Sequence, residues 1–412
     1  MRRVVVTGIG CVSPIGIGFA AFCEGIRVGA SGVRSVACFD ATPYQCRVAA
    51  EIPDFVADAF MEPREARSLP RVAQLAVAAS RLAVGDAALE LSSLGGRAAI
   101  VLGTSSGPIG YLLEQHSIFL ERGVRRMHPS SPAYAHNSII ASECAIQLGI
   151  HGSAFAISSA CTSSCDAIGL ARVLIGTGVA DVVLAGGAEA PLTPSLFGSF
   201  DRLGILPTHY NSDPASAARP FSIDREGPVL GEGAAVLVLE AEEHARARGG
   251  QPVAVVLGYG ATSDAHSHFQ HRMDGTYAMA AIDEALRCAG VAGGDVDYIN
   301  AHGTGTPDND VFESSVLRKA LGKAAEQIPV SSSKSQFGHL LGAAAAMEVV
   351  AVLAGMKLGL APPTLNLTEP DPACQLAHVR VPGQALAIDV ALSTSFGFGS
   401  RNAALVMGRC DG

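Results

Sequence analysis

The chain has 412 residues, which is too many for one small hydrophobic core, and 49% of them are hydrophobic. The net charge of −9 excludes a nucleic-acid-binding character for the chain as a whole, and ten cysteines without a CxxC spacing exclude a disulfide framework. The first residues, MRRVVVTG, predict a β-strand and not a signal peptide, so we expect a cytoplasmic α/β protein.

The first half of the chain predicts strands separated by helices. Residues 71–90 have the spacing of a helix. Strands that are apolar throughout and alternate with helices are typical of a sheet that is covered on both faces. The short β-branched runs that predict these strands lie at residues 4–8, 98–103, 154–158, 181–187 and 234–240.

The second half repeats this order. Its predicted strands lie at residues 253–260, 296–303, 328–334 and 386–399, and its helices at 276–289, 310–321 and 339–357. The repetition predicts two similar α/β halves, residues 1–250 and 251–412, which join in the charged segment 239–252.

Two segments stand out from this alternation. The loop at residues 203–228 is long, and such a loop inside a compact protein is usually functional or lies at an interface. The longest apolar stretch, residues 340–361, contains Glu348 and Lys357. We therefore expect a buried helix there and not a membrane span.

Two cysteines lie four residues apart in SSACTSSCDAIGLA, residues 158–171. Cys161 is expected where a strand turns into a helix, and the free N–H groups of a helix start can bring a thiol pKa into the range of roughly 3.5–7.5. Cys165 lies one turn further along and is expected in the core. Because the spacing fits neither a redox pair nor a metal site, Cys161 is either a nucleophile or a core cysteine.

Two histidines stand at predicted strand ends. His302, in NAHGTGTPDND, is followed by two glycines and by the hydroxyls of Thr304 and Thr306. In SSSKSQFGHLLGAAAAMEVV, Lys334 follows a strand, and His339 opens an Ala-rich helix. Either histidine alone is more typical of a structural role, but the carboxyl ends of parallel strands converge where active sites form.

The segment STSFGFGSRN, residues 393–402, is Gly-rich around two phenylalanines and ends the last long apolar run. Such a loop can offer a backbone N–H to an oxyanion, and it can move. The alternative is a tight turn between two strands.

Together these segments resemble the β-ketoacyl-acyl-carrier-protein synthases, the elongating condensing enzymes of the thiolase superfamily. The resemblance covers essentially the whole chain, from VVVTGIGCVSPIG to SFGFGSRNAAL. It includes ACTSS, RPFSIDREGPVLGEGAA, NAHGTGT and KSQFGHLLGAAAAME in the family's order. It implies an α/β thiolase fold of five layers, α-β-α-β-α, built from two similar halves.

The resemblance also implies a reaction and the residues that perform it. Cys161 matches the nucleophile that takes an acyl chain from a carrier protein as a thioester. His302 and His339 match the pair that assists decarboxylation of a malonyl extender and the condensation. The backbone N–H groups of Cys161 and Phe398 match the oxyanion hole, and Lys334 matches a buried lysine that orders the site.

Other implied residues hold the site together or hold the substrate. Glu348 is the expected charged partner of Lys334. Thr304 and Thr306 match hydroxyls that hold the phosphopantetheine arm of a carrier protein. Because the substrates arrive on that arm, no cofactor is expected.

The implied partner is an acyl carrier protein, which is acidic in this family. This chain is acidic too, so recognition needs a local basic patch. The basic residues that match the family are Arg64, Arg67, Arg125 and Arg126.

The sequence departs from the family pattern where the substrate lies. Phe269 stands where a pantetheine-binding threonine is usual, and Ser106 stands where an apolar gate residue is usual. The family's GFGG reads GFGS here, with Ser400 in place of the last glycine. These changes affect the expected substrate and not the expected reaction.

The segment SDAHSHFQH, residues 263–271, also departs from the family's SDAYHMT. It brings together His266, His268 and His271 in the sequence. No carboxylate or thiol ligand set accompanies them, so we expect no metal.

Details of GTGTPDND favour a type II polyketide ketosynthase over a fatty-acid enzyme. One alternative is a catalytically silent partner of the chain-length-factor type, but such subunits typically lack the cysteine that Cys161 supplies. Another is a different thiolase-superfamily acyltransferase, against which His339 argues. We expect an obligate dimer, with itself or with a related chain-length-factor subunit, and neither nucleic acid nor membrane as a partner.

Overall fold

The computed structural model describes residues 1–410 of the chain. Its strands are β1 (Val4–Ser13), β2 (Gly16–Ile17), β3 (Arg34–Ser35), β4 (Val48–Ala49), β5 (Ala98–Gly103), β6 (Ala154–Ile157), β7 (Val182–Glu189), β8 (Gly233–Ala241), β9 (Ala254–Ser263), β10 (Tyr298–Asn300), β11 (Pro329–Ser331), β12 (Ala377–His378), β13 (Val390–Gly397) and β14 (Arg401–Arg409). Its α-helices are α1 (Phe19–Val28), α2 (Pro63–Ala66), α3 (Arg71–Asp86), α4 (Ile109–Arg122), α5 (Ser131–Tyr134), α6 (Ile139–Leu148), α7 (Ser163–Gly176), α8 (Pro194–Leu203), α9 (Glu242–Ala247), α10 (Thr276–Ala289), α11 (Pro307–Leu321), α12 (Lys334–Phe337) and α13 (Ala344–Leu358).

Two portions of one continuous sheet, called here the first and the second sheet, repeat one topology, and they join where β1 pairs with β9 over two residues. The first has the strand order β6-β5-β7-β8-β1, and the second has the order β11-β10-β13-β14-β9, with β12 added at its edge. In each sheet the first three strands are parallel, the fourth strand (β8 or β14) runs antiparallel to them, and the fifth (β1 or β9) is antiparallel to the fourth. This repetition confirms the two similar halves. The division after residue 250 stays a prediction, and that residue lies between β8 and β9.

The helices complete five layers. On the outside, α3 and α6 pack on the first sheet, and α10 and α11 cover the second. Between the sheets lie α7 and α13, which contact each other and strands of both sheets. This arrangement is the predicted α-β-α-β-α fold.

Helix α13 is buried on every side from Ala344 to Met356, as expected for a helix that is apolar all round. Residues 341–358 are long and apolar enough to cross a membrane, but 89% of them are buried inside the protein. The segment is therefore the core helix that the sequence predicted.

The structure corrects three local predictions. Helix α3 ends at Asp86 and not at residue 90, and the last predicted strand, residues 386–399, is shortened to β13, which pairs with the unpredicted strand β14. His339 does not open a helix, because α13 begins only at Ala344. The reason is the backbone of Leu341, whose φ of 43° cannot continue a right-handed helix.

The long loop after α8 packs against the second half. Within it, the buried Arg225 donates hydrogen bonds to the carbonyl oxygens of Thr306 and Pro307 and forms an ion pair of 2.8 Å with Asp371. Ile205 and Pro228, near the two ends of the loop, line the largest of the cavities described below. The loop therefore ties the two halves together beside this cavity.

We predict that Gly103→Ala destabilises the protein by about 1–3 kcal/mol, the usual cost of overpacking. A β-carbon at Gly103, the last residue of β5, would lie 2.4–2.5 Å from backbone atoms of Ser163 and Ser164 at the start of α7. The control is Gly85→Ala in the exposed part of α3, where a β-carbon meets nothing within 4 Å.

In urea unfolding, Gly85→Ala should raise the free energy of unfolding by about 0.5–1 kcal/mol because alanine favours helix. A free energy of unfolding for Gly103→Ala that equals or exceeds the wild-type value would contradict the close packing of β5 against α7.

Candidate active site

The predicted site residues follow the carboxyl ends of parallel strands in both sheets. Parallel strands of one sheet end at the same edge, so loops after them meet there. The strand ends and the residues that follow or close them are Gly103 with Ser106, Ile157 with Cys161, Asn300 with His302, Ser331 with Lys334, and Gly397 with Phe398.

Cys161 lies on a sharp turn between β6 and α7. The preceding residue, Ala160, has a φ of 56°, in the left-handed region that a residue with a β-carbon rarely adopts. The turn is held by Asp166, whose carboxylate accepts hydrogen bonds from Thr162 (3.1 Å) and from Tyr259 of the second half (2.8 Å). The strand-to-helix position of Cys161 is therefore as predicted.

The hairpin turn after β13 reaches this cysteine. A β-carbon at Gly397 would lie 3.1 Å from the backbone nitrogen of Cys161, so a side chain there would crowd the turn. The backbone N–H of Phe398 favours the thiolate form of Cys161 and so lowers the pKa of its thiol. The segment is thus a tight turn between two strands, and its role in binding an oxyanion stays a prediction.

A buried carboxylate holds the turn that carries His302. The backbone N–H groups of His302 and Gly303 donate to Glu313 over 2.8 and 2.7 Å, and the Thr394 hydroxyl donates over 2.7 Å. Burial raises the pKa of Glu313 to about 7, although these hydrogen bonds act in the opposite direction and lower it.

Lys334 holds the ring of His302. Its ammonium lies 3.2 Å from His302 Nδ1 and donates to the His302 carbonyl oxygen over 2.6 Å. Because an ammonium only donates, Nδ1 accepts and the ring proton is on Nε2. Lys334 also forms a buried ion pair with Glu348, the partner that the sequence predicted.

His339 is fixed through its backbone. Its N–H donates to the Val229 carbonyl oxygen (2.7 Å), and its own carbonyl oxygen accepts the Gly231 N–H (3.0 Å). Its ring stands perpendicular to that of His302, with centroids 5.4 Å apart.

The structure brings Cys161, His302 and His339 together. The thiol sulphur and one nitrogen of each imidazole all lie within 4.8 Å of one another, and all three residues are buried. In contrast, Cys165 is packed in the hydrophobic core.

Burial sets the protonation states of this triad. It is the largest cause that raises the pKa of the Cys161 thiol to about 12, whereas Lys334 and the Phe398 N–H lower it. The lowered thiol pKa that the sequence suggested is therefore wrong for the free protein, whose thiol is protonated at pH 7. Burial, and then the charge of Lys334, hold the pKa of His302 and of His339 well below 6.5, so both rings are neutral.

Three soft ligands so close together could also hold a zinc-like ion. The ammonium of Lys334, 3.2 Å from His302 Nδ1, would repel a cation there. The other expected histidines, His266, His268 and His271, form no such group within residues 1–410. His271 instead stacks on Phe312 at 4.4 Å between ring centroids.

The triad lines a cavity of about 840 Å³. Thr304 and Thr306 line it, with their hydroxyls 3.0 Å apart, and Phe269 and Phe398 contact each other along it. The apolar part of the wall includes Phe200, Leu203, Ile205, Pro228, Leu230 and Leu341.

Ser106 does not line this cavity, although its neighbour Ser105 does. The Ser106 hydroxyl donates to the buried carboxylate of Glu189 over 2.5 Å. Gly107, on the other side, lines a second cavity of about 760 Å³. The Ser106 hydroxyl is therefore bound to Glu189 beside the cavity, and its expected place in the acyl channel stays a prediction.

Glu189 and Glu313 were not predicted as site residues. Glu189 accepts the N–H groups of Ser105 (2.6 Å) and Gly342 (2.9 Å), and so joins a loop of the first half to the segment after His339. A signal was present in the sequence, because Glu189 is an acidic residue at the end of an apolar strand, where a carboxylate needs partners.

The four arginines of the expected basic patch, Arg64, Arg67, Arg125 and Arg126, are exposed. None of them forms an ion pair with a carboxylate of the described residues. Their charges are therefore available to a partner.

Comparisons with known proteins agree with this fold. Residues 1–245 match the family described as Beta-ketoacyl synthase, N-terminal domain, and residues 253–368 match its C-terminal domain. The chain is 39% identical over 405 residues to 3-oxoacyl-acyl-carrier-protein synthase 2 of Synechocystis sp.. The aligned region covers 98% of this chain and 97% of that protein. It is 38% identical over 415 residues to the tetracenomycin polyketide synthase ketoacyl synthase alpha subunit of Streptomyces glaucescens, with coverages of 99% and 97%.

A solved structure of a type II polyketide ketosynthase in complex with its acyl-carrier protein, bound to the hexaketide, superposes with a TM-score of 0.92 at 32% identity over the full length of both chains. The ishigamide ketosynthase/chain length factor gives the same TM-score at 34% identity, also over both full lengths. The chain belongs to the β-ketoacyl synthase family.

We predict that Glu348→Gln lowers the free energy of unfolding by about 3–5 kcal/mol, because the buried ammonium of Lys334 loses its counter-charge. Glu284→Gln is the control, since it breaks an exposed ion pair with Arg287 and should change stability little. Urea unfolding of both variants at one protein concentration measures the difference. Equal losses of unfolding free energy in the two variants would show that the negative charge of Glu348 does not stabilise the buried Lys334.

Proposed function

We propose that this protein is a β-ketoacyl-acyl-carrier-protein synthase that joins an acyl chain to a malonyl extender by decarboxylative Claisen condensation. The observation that carries the proposal is the buried group of one thiol and two neutral imidazoles within 4.8 Å, lining a cavity large enough for an acyl chain or a pantetheine arm. Family membership and full-length relatives of this name support it.

In the first step the Cys161 sulphur forms a bond to the acyl carbonyl carbon, and the carbon–sulphur bond to the carrier's arm breaks. The carrier thiol leaves with the proton that Cys161 gives up. The carbonyl oxygen becomes an oxyanion, which the N–H groups of Cys161 and Phe398 stabilise.

In the second step the malonyl thioester loses CO₂ and leaves an enolate. His302, with its proton on Nε2, and His339 donate hydrogen bonds to the thioester oxygen, where the negative charge collects. The enolate carbon then attacks the acyl carbon on Cys161. The carbon–sulphur bond to Cys161 breaks, its thiolate takes up a proton, and the 3-oxoacyl chain remains on the carrier.

The surface and the motif details suggest the partner and the pathway. The four unpaired arginines Arg64, Arg67, Arg125 and Arg126 form the basic patch for an acidic carrier protein, and Thr304 and Thr306 hold its pantetheine arm. The reaction uses no cofactor, and we place it in the cytoplasm. GTGTPDND favours type II polyketide synthesis, and a catalytic rather than a silent subunit follows from the presence of Cys161.

Two tests separate this function from its alternatives. Purified protein, incubated with acyl and malonyl carrier protein, should release CO₂ and form the 3-oxoacyl product, as measured by mass spectrometry. Cys161→Ala should form no product, because no thioester can form. Product formation by Cys161→Ala, or none by the wild type with carrier proteins of either pathway, would contradict the proposal.

We predict that His302→Ala and His339→Ala reduce CO₂ release more than acyl loading. Lys334 and the Phe398 N–H act on the Cys161 thiolate without either imidazole, whereas the enolate depends on both. The measurement follows ¹⁴C-acyl transfer to the protein and CO₂ release separately. Equal loss of both steps in each variant would show that the imidazoles serve the first transfer as well.

We propose a dimer through β6, the edge strand of the first sheet. An unpaired strand edge can form hydrogen bonds with a strand of another chain. The edge strand β6 exposes 45% of Phe155, and the neighbouring helix α6 exposes 74% of Ile146, so apolar surface is available beside this edge. Light scattering over a dilution series should give a dimer mass throughout. A stable folded monomer would contradict the dimer, and a preference for a co-expressed cysteine-less homologue would identify the heterodimeric, polyketide-type assembly.

A further inference from the structure

Two segments meet at the exposed side of the catalytic cavity. One is the hairpin turn 398–400 after β13, and the other is the histidine-containing segment 264–274 after β9. Both line the cavity, through Phe398 and Phe269 respectively, and these two rings contact each other at 5.4 Å between centroids.

Ser400 links the two segments through its side chain. Its hydroxyl oxygen accepts the backbone N–H groups of His266 (3.1 Å) and Ser267 (3.0 Å), and it donates to the Ser267 carbonyl oxygen over 2.8 Å. Two backbone hydrogen bonds run beside these, from the Gly399 N–H to the His268 carbonyl oxygen (2.8 Å) and from the Asp264 N–H to the Ser400 carbonyl oxygen (2.9 Å).

The backbone of Ser400 is strained. Its φ is 65°, in the left-handed region that glycine adopts freely and that residues with a β-carbon avoid. Glycine would remove this strain, but it could form none of the three side-chain hydrogen bonds. The serine is also buried, with 6% of its surface exposed, so the hydroxyl has no water to replace these partners.

We propose that Ser400 is a positioning residue whose hydroxyl couples the two segments, so that they move as one unit at the mouth of the cavity. The coupling holds the turn that presents the Phe398 N–H to Cys161. Ser400 lies outside the cavity lining and touches no reacting atom, so it acts only through Phe398 and the segment 264–274. Its effect on turnover rests on the proposed function, whereas its effect on motion does not.

The first test measures motion and needs no substrate. Hydrogen exchange on the full-length protein compares the wild type with Ser400→Ala, which keeps the β-carbon, and Ser400→Gly, which relieves the strain. Both variants should exchange the amides of His266, Ser267 and Gly399 about tenfold faster, because both lose the hydroxyl.

The matched control is Ser267→Ala. The Ser267 hydroxyl accepts the N–H groups of Phe269 and Gln270 within the same segment and makes no bond to the hairpin. This variant should speed exchange at residues 269 and 270 and leave Gly399 unchanged. Faster exchange in Ser400→Ala but not in Ser400→Gly would show that backbone strain matters and the hydroxyl does not. Unchanged exchange at Gly399 in both Ser400 variants would show that the hydroxyl does not couple the two segments. Either result overturns the proposal.

The second test measures the active site. Iodoacetamide should alkylate Cys161 several-fold faster in both Ser400 variants, because the mouth opens more often. In the reconstituted reaction, kcat should fall with little change in KM, because the Phe398 N–H binds the oxyanion more strongly in the transition state than in the ground state. Thermal unfolding distinguishes a change at the active site from a general loss of stability. A variant with a lower melting temperature but with the wild-type alkylation rate and an unchanged kcat would show that Ser400 has only a structural role, and this would overturn the proposal.

Discussion

The structure depends on close packing between its two sheets. The catalytic groups come from both halves, so the nucleophile turn of the first half must touch the hairpin and the histidine turns of the second. Helices α7 and α13 achieve this with small side chains, and Gly103 lets the end of β5 lie directly against α7. This constraint explains a composition rich in alanine and glycine and poor in aromatic residues, since large side chains would separate the layers.

Buried charges then set the geometry inside this packed layer. Lys334 fixes both the ring and the carbonyl oxygen of His302, and its charge is balanced by Glu348. Glu313 holds the backbone of His302, and Glu189 joins the first half to the segment after His339. Buried charges destabilise a fold unless they are paired, so each of these groups confines the site to one arrangement.

The sequence predicted those parts of the site that follow from local pattern. Apolar strands that are followed by Cys161, His302 and Lys334 indicated where the strand ends converge, and the repeated order of elements indicated two halves. The sequence could not predict features that depend on contacts between residues far apart in the chain. The thiol pKa depends mainly on burial, and the Ser106 hydroxyl binds the carboxylate of Glu189, which is 83 residues away in the chain.

The break between His339 and α13 was missed for a related reason. An Ala-rich run predicts helix from its first residue, but the segment must instead lie against Glu189 and the Ser105 loop. Only tertiary contact forces Leu341 into the left-handed region and delays the helix to Ala344. In the same way, the link through Ser400 became visible only when two loops distant in the sequence lay side by side.

The central claim is that Cys161 alone carries the acyl chain. The most direct measurement is peptide mass mapping after incubation with acyl carrier protein and no malonyl extender, so that the loaded state accumulates. We predict one acyl group on the peptide that contains residues 158–171, located by fragmentation at Cys161 and absent from Cys161→Ala. An acyl group at Cys165, or one that persists in Cys161→Ala, would contradict the account.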